Sequence, residues 1–360
     1  MPSHLTGKLA ISAIVVVLAV AALPLTHWES DFLSFYAGAR LAGTPELFSF
    51  SAVHKIEAPL ERRPDELRAW IRPPFYALLL SPLGRLPYRA AACVWQILLA
   101  LSLISFVWLW DDHLQSYLLC VLFVPTLITL MLGQDVALLL LFAGIALKLE
   151  ERGKPFAGGL VLALCAIKVH VFLLVPLWIV SKRLWRLGLG LCAGGGILTA
   201  ICFWMMGPGW VSRYREVLAT NELHQASQDY MVSLMGLLHS APPVVWWLAS
   251  LLVAAGCFFA QSRLGKREAF AVALFGGLLI APHAFLYDLG FLLPSLTNRR
   301  TAAVGLGAVC FLISVPALAV LARLFLVGLF VWILYGCLGP AVNLQTRLRP
   351  RYQPVNGEGG

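Results

Sequence analysis

ALCAIKVHVFLL, residues 163–174, sets Lys168 and His170 inside a long apolar stretch. An ionisable group in such a setting is costly and marks a functional site by default. The apolar runs on either side, 156–168 and 170–181, are each too short to cross about 30 Å of hydrocarbon as straight helices. Short or broken helices are tolerated in a bilayer only where they pack on protein or line a wet cavity. The stretch therefore reads as part of a membrane-embedded helical bundle with a polar site inside it.

Composition agrees with that reading. Sixty per cent of the 360 residues are apolar and 12% are charged, and the mean hydropathy is +0.82. A soluble core cannot absorb that much apolar surface, so the chain is expected to be an all-α polytopic membrane protein. Apolar runs between charged or Pro/Gly breaks number about twelve. They fall near 9–26, 88–109, 114–131, 134–148, 156–168, 170–181, 188–206, 243–260, 269–281, 284–296, 302–318 and 320–338. The first is long enough to span, and His27-Trp28-Glu29 is a poor cleavage site, so a retained first helix is expected rather than a signal peptide. The eight cysteines lie in apolar segments with no CxxC, which points to packing rather than disulfides or metal. No metal-ligand spacing, Walker motif or dinucleotide fingerprint occurs, and no cofactor is expected.

Basic residues give the orientation. With the N-terminus inside, inner loops and tail hold 15 cations against six anions, and the outer loops 27–74 and 207–242 hold eight against ten. The bias predicts cytoplasmic termini, a single membrane domain over 1–338 and a basic cytoplasmic tail over 339–360. The net charge of +9 then reflects topology, not nucleic-acid binding. In this arrangement Asp31, Arg72, Gln134, Lys168, His170 and His283 all fall on the outer side.

WESDFLSFYAGARLAGTPELFSF, residues 28–50, opens the first outer loop. Asp31 stands where it either caps a short helix, Phe32 to Ala42, or serves as a catalytic base. Tyr36 shares its helical face while Arg40 is turned aside. The aromatic content of the helix predicts an amphipathic element in the membrane interface. In RAWIRPPFYALLLSPLGRLPY, residues 68–88, Pro73-Pro74 forces an extended lead into a helix too short to span. Arg72 there is either a snorkelling anchor or a guanidinium paired with a phosphate. LGQDVALLLL, residues 132–141, sets Gly133-Gln134-Asp135 between two apolar runs, where the plain account is a polar turn. In APHAFLYDLGFLLP, residues 281–294, His283 is the better site candidate, and Asp288 is a partner for a cation or hydroxyl. LHQASQDYMVSLMGLLH, residues 223–239, reads as a lid or acceptor-side loop.

In order, DFLSFYAGARLAGTPELF, RPPFYALLLSPLGRLPY, GQDVALLLL with GGLVLALCAIKVH, QASQDYMVSLMGLL and APHAFLYDLGFLL resemble glycosyltransferase family 87, of the GT-C superfamily. The likeness runs from residue 31 to about 295. It implies a GT-C-like bundle with interfacial helices in a long first outer loop, in the plasma membrane. It also implies transfer of a sugar, mannose above all, from a polyprenyl-phosphate donor to a lipid or glycan acceptor at the outer face. By the same resemblance Asp31 matches the essential acidic residue of the first outer loop. An inverting transfer needs a carboxylate to take the acceptor's proton. The departing lipid phosphate needs cations, which Arg72, Lys168 and His283 can supply without a metal. Tyr36, Gln134, His170 and Asp288 are further site candidates. Broken helices and intramembrane charges also occur in transporters and lipid flippases, the rival reading, although the hydropathy shows no inverted repeat.

Overall fold

The computed structural model describes residues 31–60, 69–110, 123–220, 230–296 and 316–336, with a few positions between 7 and 17. Most of the first apolar run, most of the run at 302–318 and the basic tail lie outside these residues. Among the described residues all regular structure is helical.

Helix α1 spans Phe32–Arg40 and α2 Phe50–Glu57, with a 3-10 turn at Pro45–Phe48 between them. Helix α3, Pro74–Gly84, leads into α4, Tyr88–Trp110. Helices α5, Val124–Leu132, and α6, Val136–Glu151, meet at a bend of 115°. Helix α7, Pro155–Leu162, runs into a 3-10 stretch at Ala163–Phe172, followed by α8, Val175–Ser181. Next come α9, Trp185–Met206, α10, Trp210–Ala219, and α11, Leu234–Leu238. Helices α12, Pro243–Arg263, and α13, Lys266–Ile280, precede a second 3-10 stretch at Leu286–Leu292 and the short α14, Leu293–Leu296. Helix α15, Pro316–Gly336, closes the described chain.

Five of these stretches are long and apolar enough to cross a membrane: α4, Pro155–Phe172, α9, α12 and Leu318–Tyr335 within α15. The bent pair α5–α6 makes a sixth if it counts as one span. About twelve spans were expected, and the described residues account for five to six. The two runs around Lys168 show part of the reason. They were read as separate short segments, and the chain does break between them at Lys168; the 18 residues Pro155–Phe172 count as one candidate span only across that kink.

Close packing centres on small residues, as expected where helices cannot use the hydrophobic effect against lipid. Helix α7 lies on α9 through Gly159 and Gly190, and a Cβ at either would run into the backbone of the other helix. Gly84 of α3 does the same for α1, because a Cβ there would come within 2.7 Å of the Ala39 carbonyl carbon.

Helix α1 corrects one expectation. Seven of its nine residues are buried, so it is covered by protein over most of its circumference rather than spread on a surface. Phe32 stacks on Trp95 at 5.7 Å between ring centres, and Phe35 meets the same indole edge-on at 6.0 Å. A lipid-facing aromatic stripe and a protein-facing one have the same sequence pattern. Here α4 supplies the partner.

Candidate active site

The α5–α6 bend builds the first half of the site. Gly133 ends α5 in the left-handed region, at φ 67°, a conformation glycine adopts without a Cβ penalty. Its carbonyl accepts a hydrogen bond from the Trp95 indole at 2.7 Å, and Gln96 Nε2 donates to the Leu130 carbonyl at 2.9 Å. The amide of Gln134 donates back to Thr129 O at 2.9 Å. The turn is thereby fixed on α4, and it presents Gln134 and Asp135 into the protein, where they are 3% and 0% exposed.

The second half is the break in the 3-10 stretch. Lys168 has φ −127° and ψ 59°, outside the helical region, and its side chain is 1% exposed. Its Nζ lies 2.7 Å from Asp288 Oδ1, 3.0 Å from Gln134 Oε1 and 3.3 Å from Asp135 Oδ1. It also sits over the Tyr287 ring, 4.6 Å from the centroid. Desolvating an ammonium is expensive, and two carboxylates plus an amide oxygen offset that cost. Asp288 is held in turn by the Phe285 amide at 3.0 Å, and the Tyr287 carbonyl accepts from Thr129 Oγ1 at 3.0 Å. The 286–292 stretch is thus tied to α5.

Two further residues join this centre. Arg72, 7% exposed, pairs through Nε with Asp135 Oδ2 at 3.5 Å. Gln134 Nε2 donates to Asp31 Oδ2 at 2.5 Å, and the Asp31 amide donates to Leu132 O at 3.1 Å. The Asp31 carboxylate makes no capping hydrogen bond to α1. Cap and base were the two readings of this residue, and the carboxylate is turned to the Gln134 amide instead of the helix end. The chain of contacts runs Asp31–Gln134–Lys168, with Asp288 and Asp135 on the lysine and Arg72 on Asp135.

Beside this network lies a cavity of about 520 Å³. Ile167, Leu218, Met231 and Met235 give it apolar walls, and Arg72, His170 and His283 also line it. The two imidazoles meet edge to face with centroids 6.4 Å apart, and His283 packs on Phe285 at 4.6 Å. His170 Nε2 is buried without a hydrogen-bond partner among the described residues. Tyr214 of α10 also reaches the cavity and donates to the Ile71 carbonyl at 3.1 Å, bracing the segment that carries Arg72. Burial pushes its phenol above the usual value, which keeps it a donor. Arg323 Nε of α15 donates to the Met231 carbonyl at 2.8 Å, fixing one apolar wall to the last helix.

Of the residues singled out in the sequence, Asp31, Gln134, Lys168 and Asp288 form one network. Arg72 is shared by network and cavity, while His170 and His283 line the cavity. Tyr36 joins neither: its hydroxyl donates to the Leu86 carbonyl at 2.9 Å, and its ring meets Tyr88 at 5.2 Å. Lys168 does not line the cavity, since its ammonium is engaged by carboxylates. Sequence reading passed over Asp135, Tyr287 and Arg323. For Asp135 and Arg323 the signal was present, because each is a charge in an apolar segment.

The fold is that of a helical membrane protein, and among the described residues it sets a buried carboxylate–amide–cation network beside an apolar cavity. A model of glycosyltransferase family 87 matches residues 70–286. The chain belongs to that family and is a glycosyltransferase, acting between a sugar donor and an acceptor. The matched region holds Arg72, Gln134, Lys168, His170 and His283, whereas Asp31 precedes it and Asp288 follows it. No curated protein and no solved structure matches the chain.

Proposed function

We propose that the protein transfers a sugar, mannose in the first instance, from a polyprenyl-phosphate carrier to a lipid or glycan acceptor. Transfer takes place at the outer face of the plasma membrane, with inversion and without a metal. The observation that carries this reading is the double membership of Arg72. One guanidinium lines an apolar cavity and is joined through Asp135, Lys168 and Gln134 to Asp31. A lipid phosphate sugar has the matching character, with an apolar tail, an anionic phosphate and a reacting carbon next to it.

In this reading the acceptor hydroxyl attacks the anomeric carbon while Asp31 takes its proton. The bond from that carbon to the phosphate oxygen breaks, and its electron pair leaves on the phosphate. Arg72 and His283 face the departing phosphate, a fork-shaped guanidinium being well matched to phosphate oxygens. Lys168 adds positive charge from behind Gln134. In this reading both termini are cytoplasmic.

The test is incubation of purified protein and acceptor membranes with radiolabelled polyprenyl-phosphate mannose, glucose or arabinose. Labelled lipid or glycan from the mannose donor is the expected result. Transfer from nucleotide sugars alone overturns the donor assignment.

A further inference from the structure

Gln134 is buried with both ends of its amide engaged, Oε1 by Lys168 Nζ at 3.0 Å and Nε2 by Asp31 Oδ2 at 2.5 Å. An ammonium carries donors and no acceptor. The amide oxygen must therefore face Lys168, and the amide nitrogen must face Asp31. The amide cannot turn over while Lys168 is in place. Lys168 is pinned by Asp288 at 2.7 Å and Asp135 at 3.3 Å, and the Gln134 backbone is pinned by its bond to Thr129. The result is a directed donor aimed at one carboxylate oxygen.

We propose that Gln134 is the positioning residue of this centre: it holds the Asp31 carboxylate in one rotamer and keeps it ionised for proton abstraction. A donor to the charged form favours that form. The inference rests on Asp31 as the base, and it adds the device that prepares the base. In the transfer step the acceptor O–H bond breaks and its proton goes to Asp31. The new C–O bond forms as the C–O(phosphate) bond breaks, and Asp31 afterwards returns the proton to solvent.

Among the described residues, the elements that meet at this centre carry several titratable and charged groups: Tyr36 on the helix of Asp31, Arg72 and Tyr76 at α3, and Asp135 next to Gln134. Lys168 and His170 come from the broken stretch, and Tyr287 and Asp288 from the second 3-10 stretch. In this set Asp135 and Asp288 disfavour ionisation of Asp31 while Arg72 and Lys168 favour it, and the Gln134 donor adds to the cations' side.

The experiment uses the full-length protein and two variants, Gln134→Leu and Gln134→Glu. The first removes the donor at nearly constant volume and leaves Lys168 its two carboxylates. Two readouts are taken across pH: transfer rate, and the Asp31 carboxyl band in the infrared difference between each protein and its Asp31→Asn counterpart. With Gln134→Leu the Asp31 midpoint rises by about one unit, and the acidic limb of kcat moves with it, while KM for the donor stays near wild type. With Gln134→Glu two adjacent carboxylates share a proton and the midpoint rises further. An infrared midpoint and acidic limb unchanged in Gln134→Leu overturn the proposal and leave Gln134 as packing. Failure of the underlying reading looks different, since Asp31→Asn would then transfer sugar at the wild-type rate whatever the infrared band does.

Discussion

Lys168 Nζ stands 2.7 Å from Asp288 Oδ1, a contact between residues 120 positions apart in the chain. Both groups are 1% exposed. Removing one partner of a buried ion pair leaves an uncompensated charge, which typically costs about 3–5 kcal/mol. Lys168→Met is accordingly expected to lower the thermal midpoint in detergent sharply. Lys168→Met combined with Asp288→Leu should recover much of that loss without recovering transfer, because the Gln134 amide is no longer oriented. Equal midpoints for the single and double variants would show that Asp288 carries no penalty once the lysine is gone.

Asp31→Asn changes almost no volume and keeps an oxygen for the Gln134 amide. The expected protein melts like the wild type and binds donor, but its transfer rate falls by about 10²–10⁴. Rate and melting curve measured on one preparation separate this from a folding defect.

Arg72 is the group common to the cavity and the ion network. Arg72→Lys keeps the charge and loses the planar fork, so transfer should fall by about a hundredfold. Binding of the unglycosylated polyprenyl phosphate, read by displacement of a labelled analogue, should weaken in parallel. Unchanged binding would confine Arg72 to holding Asp135.

Gly133 carries the bend at φ 67°. Gly133→Ala forces a Cβ into the left-handed region, which costs roughly 1–2 kcal/mol. The strain sits one residue before Gln134, so a drop in transfer beyond that expected from the lowered melting point is the predicted outcome.

Topology can be read with single cysteines in a cysteine-free background. Ser51 and Ser262 are both exposed. A cysteine at 51 should react with a membrane-impermeant maleimide in intact cells, and one at 262 only after lysis. The reverse pattern would put the site on the cytoplasmic side.

How much of this was legible in the sequence depends on which physical signal each residue carried. Lys168 and His170 announced themselves by the cost of charge in an apolar run. Helix α1 was expected over Phe32 to Ala42 and runs Phe32–Arg40, and the family came from ordered motifs. Pairing was not legible. Nothing in a single sequence says that the carboxylate at 288 meets the ammonium at 168, since that distance is set by how α5, the broken stretch and the 286–292 segment pack. Asp135 shows a different failure. The rule applied to Lys168 applied equally to it, but its place beside Gly133 made a solvated turn the easier reading. Helix α1 was read as an amphipathic element of the membrane interface because apolar periodicity reports a buried face and not what buries it. For Tyr36 the helical face was right, but the neighbour it bonds, the Leu86 carbonyl, belongs to another part of the chain.

The contact order of the ion network has a consequence for biogenesis. A chain inserted from its N-terminus delivers Arg72 and Asp135 first, and Lys168 arrives 34 residues after Gln134. Asp288 is synthesised 120 residues later still. Until then, among the described residues, the lysine has Asp135 as its one direct carboxylate partner, and that carboxylate is already shared with Arg72. The lysine's second carboxylate is therefore missing for about a third of the chain's synthesis, and the arrival of the 286–292 segment completes its ion pairing. A chain ending before that segment keeps a buried ammonium with one of its two direct carboxylate partners missing.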